Sequence, residues 1–135
     1  MPAGYSKTPL ARKLGVKAGQ RTWRVNMPAS VAAEIAGSGL APSLLRSPQP
    51  GLEMAHIFVT RRSELGSNLC QLRPLLAPDG ALWVSWPKKV SRVETDISED
   101  AIRAEALPLG FVDIKVCAVD QVWSGLKLVI RKSER

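Results

Sequence analysis

From residue 22 the side chains alternate, with Trp23, Val25 and Met27 on one side of an extended chain and Thr22, Arg24 and Asn26 on the other. That two-residue period predicts a half-buried strand over 22–27. Upstream, Leu10 and Leu14 stand four apart and mark a short helix, with Thr8 as its cap, Pro9 in its first turn and Gly15 as its stop. Downstream, Pro28-Ala29-Ser30 breaks the strand, and Ser30 is placed to cap a helix of small residues over 31–36 that ends in Gly37-Ser38-Gly39. Residues 40–53 carry Pro42, Pro48, Pro50 and Gly51, which reads as loop with little room for further strands.

The pattern then changes. Residues 55–60 (AHIFVT) form a continuous apolar run, as expected of a strand buried on both faces of a parallel sheet. Ser63 is the expected cap of a helix whose Leu65, Leu69, Leu72 and Leu76 recur at three and four residues. Pro78-Asp79-Gly80 predicts a turn into a second buried strand over 81–86, which Pro87 ends. Ser98 or Asp96 can cap a helix containing Ile102, Ala106 and Leu107 that runs out near Pro108 and Gly110. Two β-rich runs, 111–119 and 126–131, flank 120–125 and predict an antiparallel hairpin with Ser124-Gly125 in its turn. The order of elements predicts an α/β three-layer sandwich of about five strands, mostly parallel, with a C-terminal antiparallel pair.

Composition narrows the picture. The chain has 135 residues and is 45% apolar, enough for one core, so a single α/β domain over 7–135 is expected behind a short loose arm over 1–6. No run approaches the roughly 18 to 20 apolar residues of a membrane span, and no signal-peptide core is present, so a soluble, cytoplasmic protein without a membrane partner is expected. Cys70 and Cys117 are expected to be small core residues in a reducing compartment. His56 opens an apolar run, which favours a structural role; with one histidine and two scattered cysteines, no metal site is expected.

The formal charge of +7 is uneven: residues 1–62 hold nine Lys/Arg against Glu34 and Glu53, whereas 63–135 hold ten of each sign. The densest stretch comprises Lys7, Arg12, Lys13, Lys17, Arg21 and Arg24 and contains no acid. Such a stretch is either a solvated face or the footprint of an anionic partner such as nucleic acid.

The leucine-striped helix followed by LLAPDGALWVSW resembles the stretch of class I methyltransferases in which a helix leads through a Pro-Gly-Gly-like turn into the fifth strand. Residues 98–131, with Leu109-Gly110-Phe111 between helix and strands, resemble that family's closing unit. The resemblance covers 15–36 and 55–132 and implies a Rossmann-like, methyltransferase-like fold. It also implies a glycine-rich turn after the first strand and an acidic residue after the second to hold a ribose. Here the first turn reads Asn26-Met27-Pro28-Ala29-Ser30, without glycine, and the second and third strands are expected to be missing. No S-adenosylmethionine-binding residue is therefore carried over, and no cofactor is assigned. Over nearly its full length the chain also resembles an uncharacterised family of short bacterial proteins, through GYSKTPLARKLG (4–15), LWVSWPKK (82–89) and VCAVDQVWSGLKLV (116–129). That resemblance implies a bacterial, cytoplasmic source and assigns no function.

In open parallel sheets ligands sit beyond the carboxyl ends of the strands. Those ends are Asn26 with Ser30, then Thr60, Arg61 and Arg62, then Trp86, Lys88 and Lys89; four of the eight are cationic. Together with a helix N-terminus at Ser30 they predict an anion site for phosphate, nucleotide or carboxylate, the alternative being solvated loop cations. Trp86 and Trp123 are expected to fill core. Ser85 has no histidine beside it in sequence, and Asp96, Glu99 and Asp100 read as helix-capping acids, so no catalytic residue is assigned. The favoured reading is a non-enzymatic binding module for an anionic small molecule or a protein partner. The alternatives are nucleic-acid binding through the basic 7–24 stretch, and a small transferase with a modified pocket at Asn26 and Ser30. An unpaired first-strand edge leaves the oligomeric state open.

Overall fold

The computed structural model describes residues 8–135, so the expected arm and Lys7 lie outside the described residues. Six strands are present: β1 (Arg21–Val25), β2 (Ser43–Leu44), β3 (Leu52–Phe58), β4 (Leu76–Pro87), β5 (Phe111–Ala118) and β6 (Trp123–Ile130). They form one sheet in the order β2-β1-β3-β4-β6-β5, in which β1 to β4 run parallel and β6 lies antiparallel between β4 and β5. The sheet therefore has one strand more than the sequence pattern suggests. The second strand, expected to be missing, is two residues long, too short to leave a periodic signal. It is held by Ser43 N–H to the Gln20 carbonyl at 2.8 Å and Leu45 N–H to the Thr22 carbonyl at 2.9 Å.

Helices α1 (Leu10–Leu14) and α2 (Ala29–Gly37) pack on one face of the sheet, and α3 (Arg62–Leu72) and α4 (Glu99–Ala106) on the other. On the α3/α4 face, Leu65, Leu69, Leu72 and Ile102 close over Ala55, Ile57, Leu82, Val84, Leu126 and Leu128. On the α1/α2 face, Leu10, Leu14, Val31 and Ile35 close over Met54, Phe58 and Trp83. Trp83 is fully buried, and its indole Nε1–H donates to the Leu14 carbonyl at 2.8 Å, which locks the end of α1 onto the middle of the sheet.

The local signals were met unevenly. Gly15 ends α1 in the left-handed region at φ 77°, and the Ser98 hydroxyl caps α4 by accepting from Ala101 N–H at 3.1 Å. Ser30 does not cap α2: Pro28 holds the N-cap position, and Ser30 lies inside the first turn. Pro9 likewise holds that position at α1. Arg61, not Ser63, begins α3, and Glu64 Oε1 reaches back to accept from Arg61 N–H at 3.2 Å. The expected strand over 22–27 stops at Val25, because Asn26 turns left-handed at φ 56°. That turn sends Met27 to the α1/α2 face, while Trp23 and Val25 pack against the other.

Pro78-Asp79-Gly80 is not a turn ahead of a strand but a bulge within β4, where the register with β3 jumps from Leu52↔Leu76 to Met54↔Ala81. Glycine is needed there, since a Cβ on Gly80 would lie 2.8 Å from the Leu52 carbonyl oxygen. Leu76 accordingly belongs to β4 and not to the leucine helix. Ser124 and Gly125 lie in β6, and the hairpin is closed earlier by Asp120 Oδ1, which accepts from the N–H groups of Val122 and Trp123 at 2.8 Å each. The cysteines depart from expectation too, because Cys70 sits on the exposed side of α3 and Cys117 is only half-buried. No helix among the described residues is long and apolar enough to cross a membrane.

Candidate functional site

The chain leaves β1 toward β2 on one side and returns to β3 on the other, which makes the carboxyl ends of β1 and β3 the topological switch point of the sheet. The turn at that point is Asn26-Met27-Pro28, with Asn26 exposed and the Pro28 carbonyl accepting from Val31 and Ala32 N–H at 3.0 and 3.1 Å to start α2. Proline contributes no N–H here, and no glycine lets the backbone approach a ligand closely. After β2 the chain continues Leu45-Arg46-Ser47, with a cation where a ribose-holding acid would be needed. These residues do not fit S-adenosylmethionine held in the way that the methyltransferase resemblance implies.

A cavity of about 470 Å³ at the strand ends is lined by Thr60, Arg61, Glu94, Thr95 and Asp96. Thr95 Oγ1 donates to the Thr60 carbonyl at 2.7 Å, and Asp96 Oδ1 accepts from Arg62 N–H at 2.7 Å. Of the eight strand-end residues, Thr60 and Arg61 line this cavity, and Arg61, the one cation among its walls, shares it with two carboxylates. Arg62 pairs with Glu105 at 3.4 Å, while Trp86 is buried against the α3/α4 core. Lys88 donates its backbone N–H to the Val122 carbonyl at 2.7 Å, and Lys89 is exposed in a 3-10 turn. Asn26 and Ser30 stay exposed at the β1–α2 turn.

Ser85 does have a histidine partner, supplied by the neighbouring strand: His56 Nε2 lies 2.7 Å from Ser85 Oγ. The two are 2% and 0% exposed, and His56 stacks on Phe58 with ring centroids 4.5 Å apart. Burial first, and then the charge of Arg24, lower the His56 pKa to about 3, so the ring is neutral. A sealed, neutral imidazole bonded to a sealed hydroxyl satisfies two core polar groups, and no substrate can reach it.

A different constellation emerges on the α1/α2 face. Register places Arg24, His56, Trp83, Lys127 and Lys115 in one row across five strands. The end of α1 lies over the far part of that row, and Lys115 Nζ donates to the Lys13 carbonyl at 3.1 Å. Burial, followed by the charges of Lys115 and Lys17, pushes the Lys127 ammonium below its usual range. Lys13 and Lys115 also lie close enough to pull on the half-buried Cys117 thiol, which burial nonetheless raises. Lys13, Lys17, Lys115 and Lys127 thus form one cluster, with Arg12 exposed beside it on α1. The six ion pairs among the described residues all use Arg62, Arg73, Arg103 or Arg131, and none uses a lysine.

Of the basic stretch read from sequence, then, Lys13 and Lys17 join the cluster. Arg21 is committed elsewhere, to the carbonyls of Gly51 at 3.3 Å and Pro50 at 3.2 Å, and Arg24 turns into a separate groove beside α2. Lys115 and Lys127 were missed because each stands alone among apolar neighbours. The readable signal was the hairpin itself, whose pairing puts the two directly opposite.

No family model matches the sequence, and neither does any curated protein. Solved structures do match. An S-adenosylmethionine-dependent methyltransferase from Aquifex aeolicus superposes with a TM-score of 0.61 at 18% identity, over 90% of this chain and 87% of that one. A methyltransferase from Pyrococcus furiosus gives 0.58 at 13% identity, over 95% and 85%. Ribosomal protein L11 methylase from Lactobacillus delbrueckii subsp. bulgaricus gives 0.58 at 12% identity, over 90% and 75%. The fold is methyltransferase-like. At these identities the likeness extends to the methyltransferase-like sheet and its helices, and not to the chemistry carried on them.

Proposed function

We propose that this chain is a non-enzymatic binding module on a methyltransferase-like sheet, and that it holds the phosphate backbone of nucleic acid on the lysines gathered around the end of α1. The observation that carries the reading is that Lys13, Lys17, Lys115 and Lys127 come together from three separate parts of the chain and, among the described residues, none of them forms an ion pair, although Lys17 shares a cavity wall with Glu53 and Asp79. Gathering like charges opposes folding, and desolvating one of them, Lys127, adds to the cost. A surface of this kind is matched by counter-charge from outside, and phosphates spaced along a strand supply it without sequence-specific contacts. The misfit of the Asn26-Met27-Pro28 turn to a nucleoside cofactor supports the non-enzymatic half of the reading.

The test is fluorescence anisotropy of short labelled single-stranded DNA and RNA at 50 to 200 mM salt, on the wild type and on a variant with all four lysines changed to glutamine. At about 0.7 per phosphate contact on a single strand, four lysines account for a log–log salt slope of about −3. The variant is expected to lose that slope and most of its affinity while keeping its circular dichroism. Unchanged affinity, or wild-type binding indifferent to salt, sinks the reading. Saturable heat with S-adenosylmethionine in calorimetry would favour a transferase instead.

A further inference from the structure

At the opposite end of the sheet, between α2 and β2, lies a groove of about 250 Å³ lined by Arg24, Ala32, Ile35, Ala36, Leu40 and Leu44, among others. It is open because the sheet ends at β2: no strand among the described residues follows beyond that two-residue strand, and Leu44 stays 54% exposed. The walls are small or aliphatic, and the one charged group among them is the half-buried Arg24. Burial alone displaces Arg24 from its usual range, downward, with no carboxylate beside it among the described residues. Its partner in register, His56, is neutral and offers no counter-charge. A guanidinium set among apolar walls is the most directional carboxylate receptor a protein builds, because its fork donates two parallel hydrogen bonds.

We propose that this groove binds a small monocarboxylate with an apolar body, its carboxylate on Arg24 and its hydrocarbon against Ala32, Ile35, Ala36 and Leu44. The volume falls below the roughly 300 to 1,000 Å³ of sites for drug-sized ligands, which sets a short aliphatic or single-ring acid as the occupant. A nucleotide is too large and too polar for these walls, and free phosphate leaves them uncovered. The site is separate from the lysine cluster and does not depend on the nucleic-acid reading.

The probes are hexanoate and benzoate, with hexanamide, benzamide and inorganic phosphate as controls, followed by protein-observed NMR titration. Both carboxylates are expected to saturate and to perturb the α2 and β2 amides, while the amides and phosphate bind at least tenfold more weakly. Arg24→Gln should abolish carboxylate binding. Ala36→Phe, which fills the groove from an exposed helix position and leaves Arg24 in place, should do the same with the fold intact. Equal binding of the amides, retained binding in Arg24→Gln, or no saturable binding of either acid overturns the proposal. A loss of oligonucleotide affinity in Arg24→Gln would make Arg24 part of the phosphate surface and overturn the separate site.

Discussion

Around α3 and α4 the ion pairs are made by arginines: Arg103 alone reaches Glu99 at 2.9 Å, Asp100 at 3.2 Å and Asp113 at 3.0 Å, and Arg62 reaches Glu105 at 3.4 Å. On the α1/α2 side the cations are Arg12 and the lysines around α1, with Arg24 beside α2, and no ion pair among the described residues answers any of them. The difference matches the chemistry of the two groups. A guanidinium forms planar forks with carboxylates inside the fold, whereas an ammonium is a mobile point charge suited to phosphates on a partner. The ion pairs made around α3 and α4 are internal to the fold, and the other face carries the cations on which both proposed sites rest.

The largest effect should come from undocking the α1/α2 face. Trp83→Ala removes a fully buried indole and its bond to the Leu14 carbonyl, and is expected to cost about 3 to 5 kcal/mol in urea unfolding. Because Trp83 holds the end of α1 over the lysines, salt-dependent oligonucleotide binding should fall with it. Stability that drops while binding holds would detach the cluster from α1.

Next in size is a pH effect under the same face. His56 titrates near 3 when folded against an ordinary 6.5, so its stabilisation is complete above pH 6.5 and is lost as pH falls toward 3. At about 1.4 kcal/mol per unit, lowering pH from 7 to 5 should remove about 2 kcal/mol, and His56→Gln should flatten that slope. A slope that survives the substitution would place the titration elsewhere.

A smaller and opposite effect is expected at Lys127. Removing its charge with Lys127→Met should raise the melting temperature slightly, most at low salt, while weakening oligonucleotide binding. A fall in both would mean that Lys127 is held by a partner group and is not in repulsion. The mildest change should be Arg103→Met on the α3/α4 face, which lowers the melting temperature in a salt-dependent way and leaves oligonucleotide binding untouched. Lost binding there would erase the contrast between the faces.

Much of the fold was legible along the chain. The apolar runs expected at 55–60 and 81–86 mark the two central strands, although β3 already ends at Phe58, and Leu65, Leu69 and Leu72 are buried where the helical period put them. What escaped notice was short or set by close approach: a two-residue strand, a bulge through Pro78-Asp79-Gly80, and helix starts at Pro9, Pro28 and Arg61 in place of the nearest hydroxyl. The site was less legible still. Ser85 was read without a base because the histidine that meets it is 29 residues away on the next strand.

By itself the sequence determined which segments could be buried, the α/β alternation, the absence of a glycine turn after β1 and the acid-free basic stretch near the N-terminus. These are local properties, settled by side-chain period and by the backbone limits of glycine and proline. Only the tertiary structure decided which charges meet. Antiparallel pairing set Lys115 opposite Lys127, and the packing of α1 carried Lys13 to a lysine 102 residues away. Strand order left Arg24 in an open flank. Coulomb and hydrogen-bond interactions act over a few ångströms of space, and separation along the chain says nothing of that distance until the sheet is assembled.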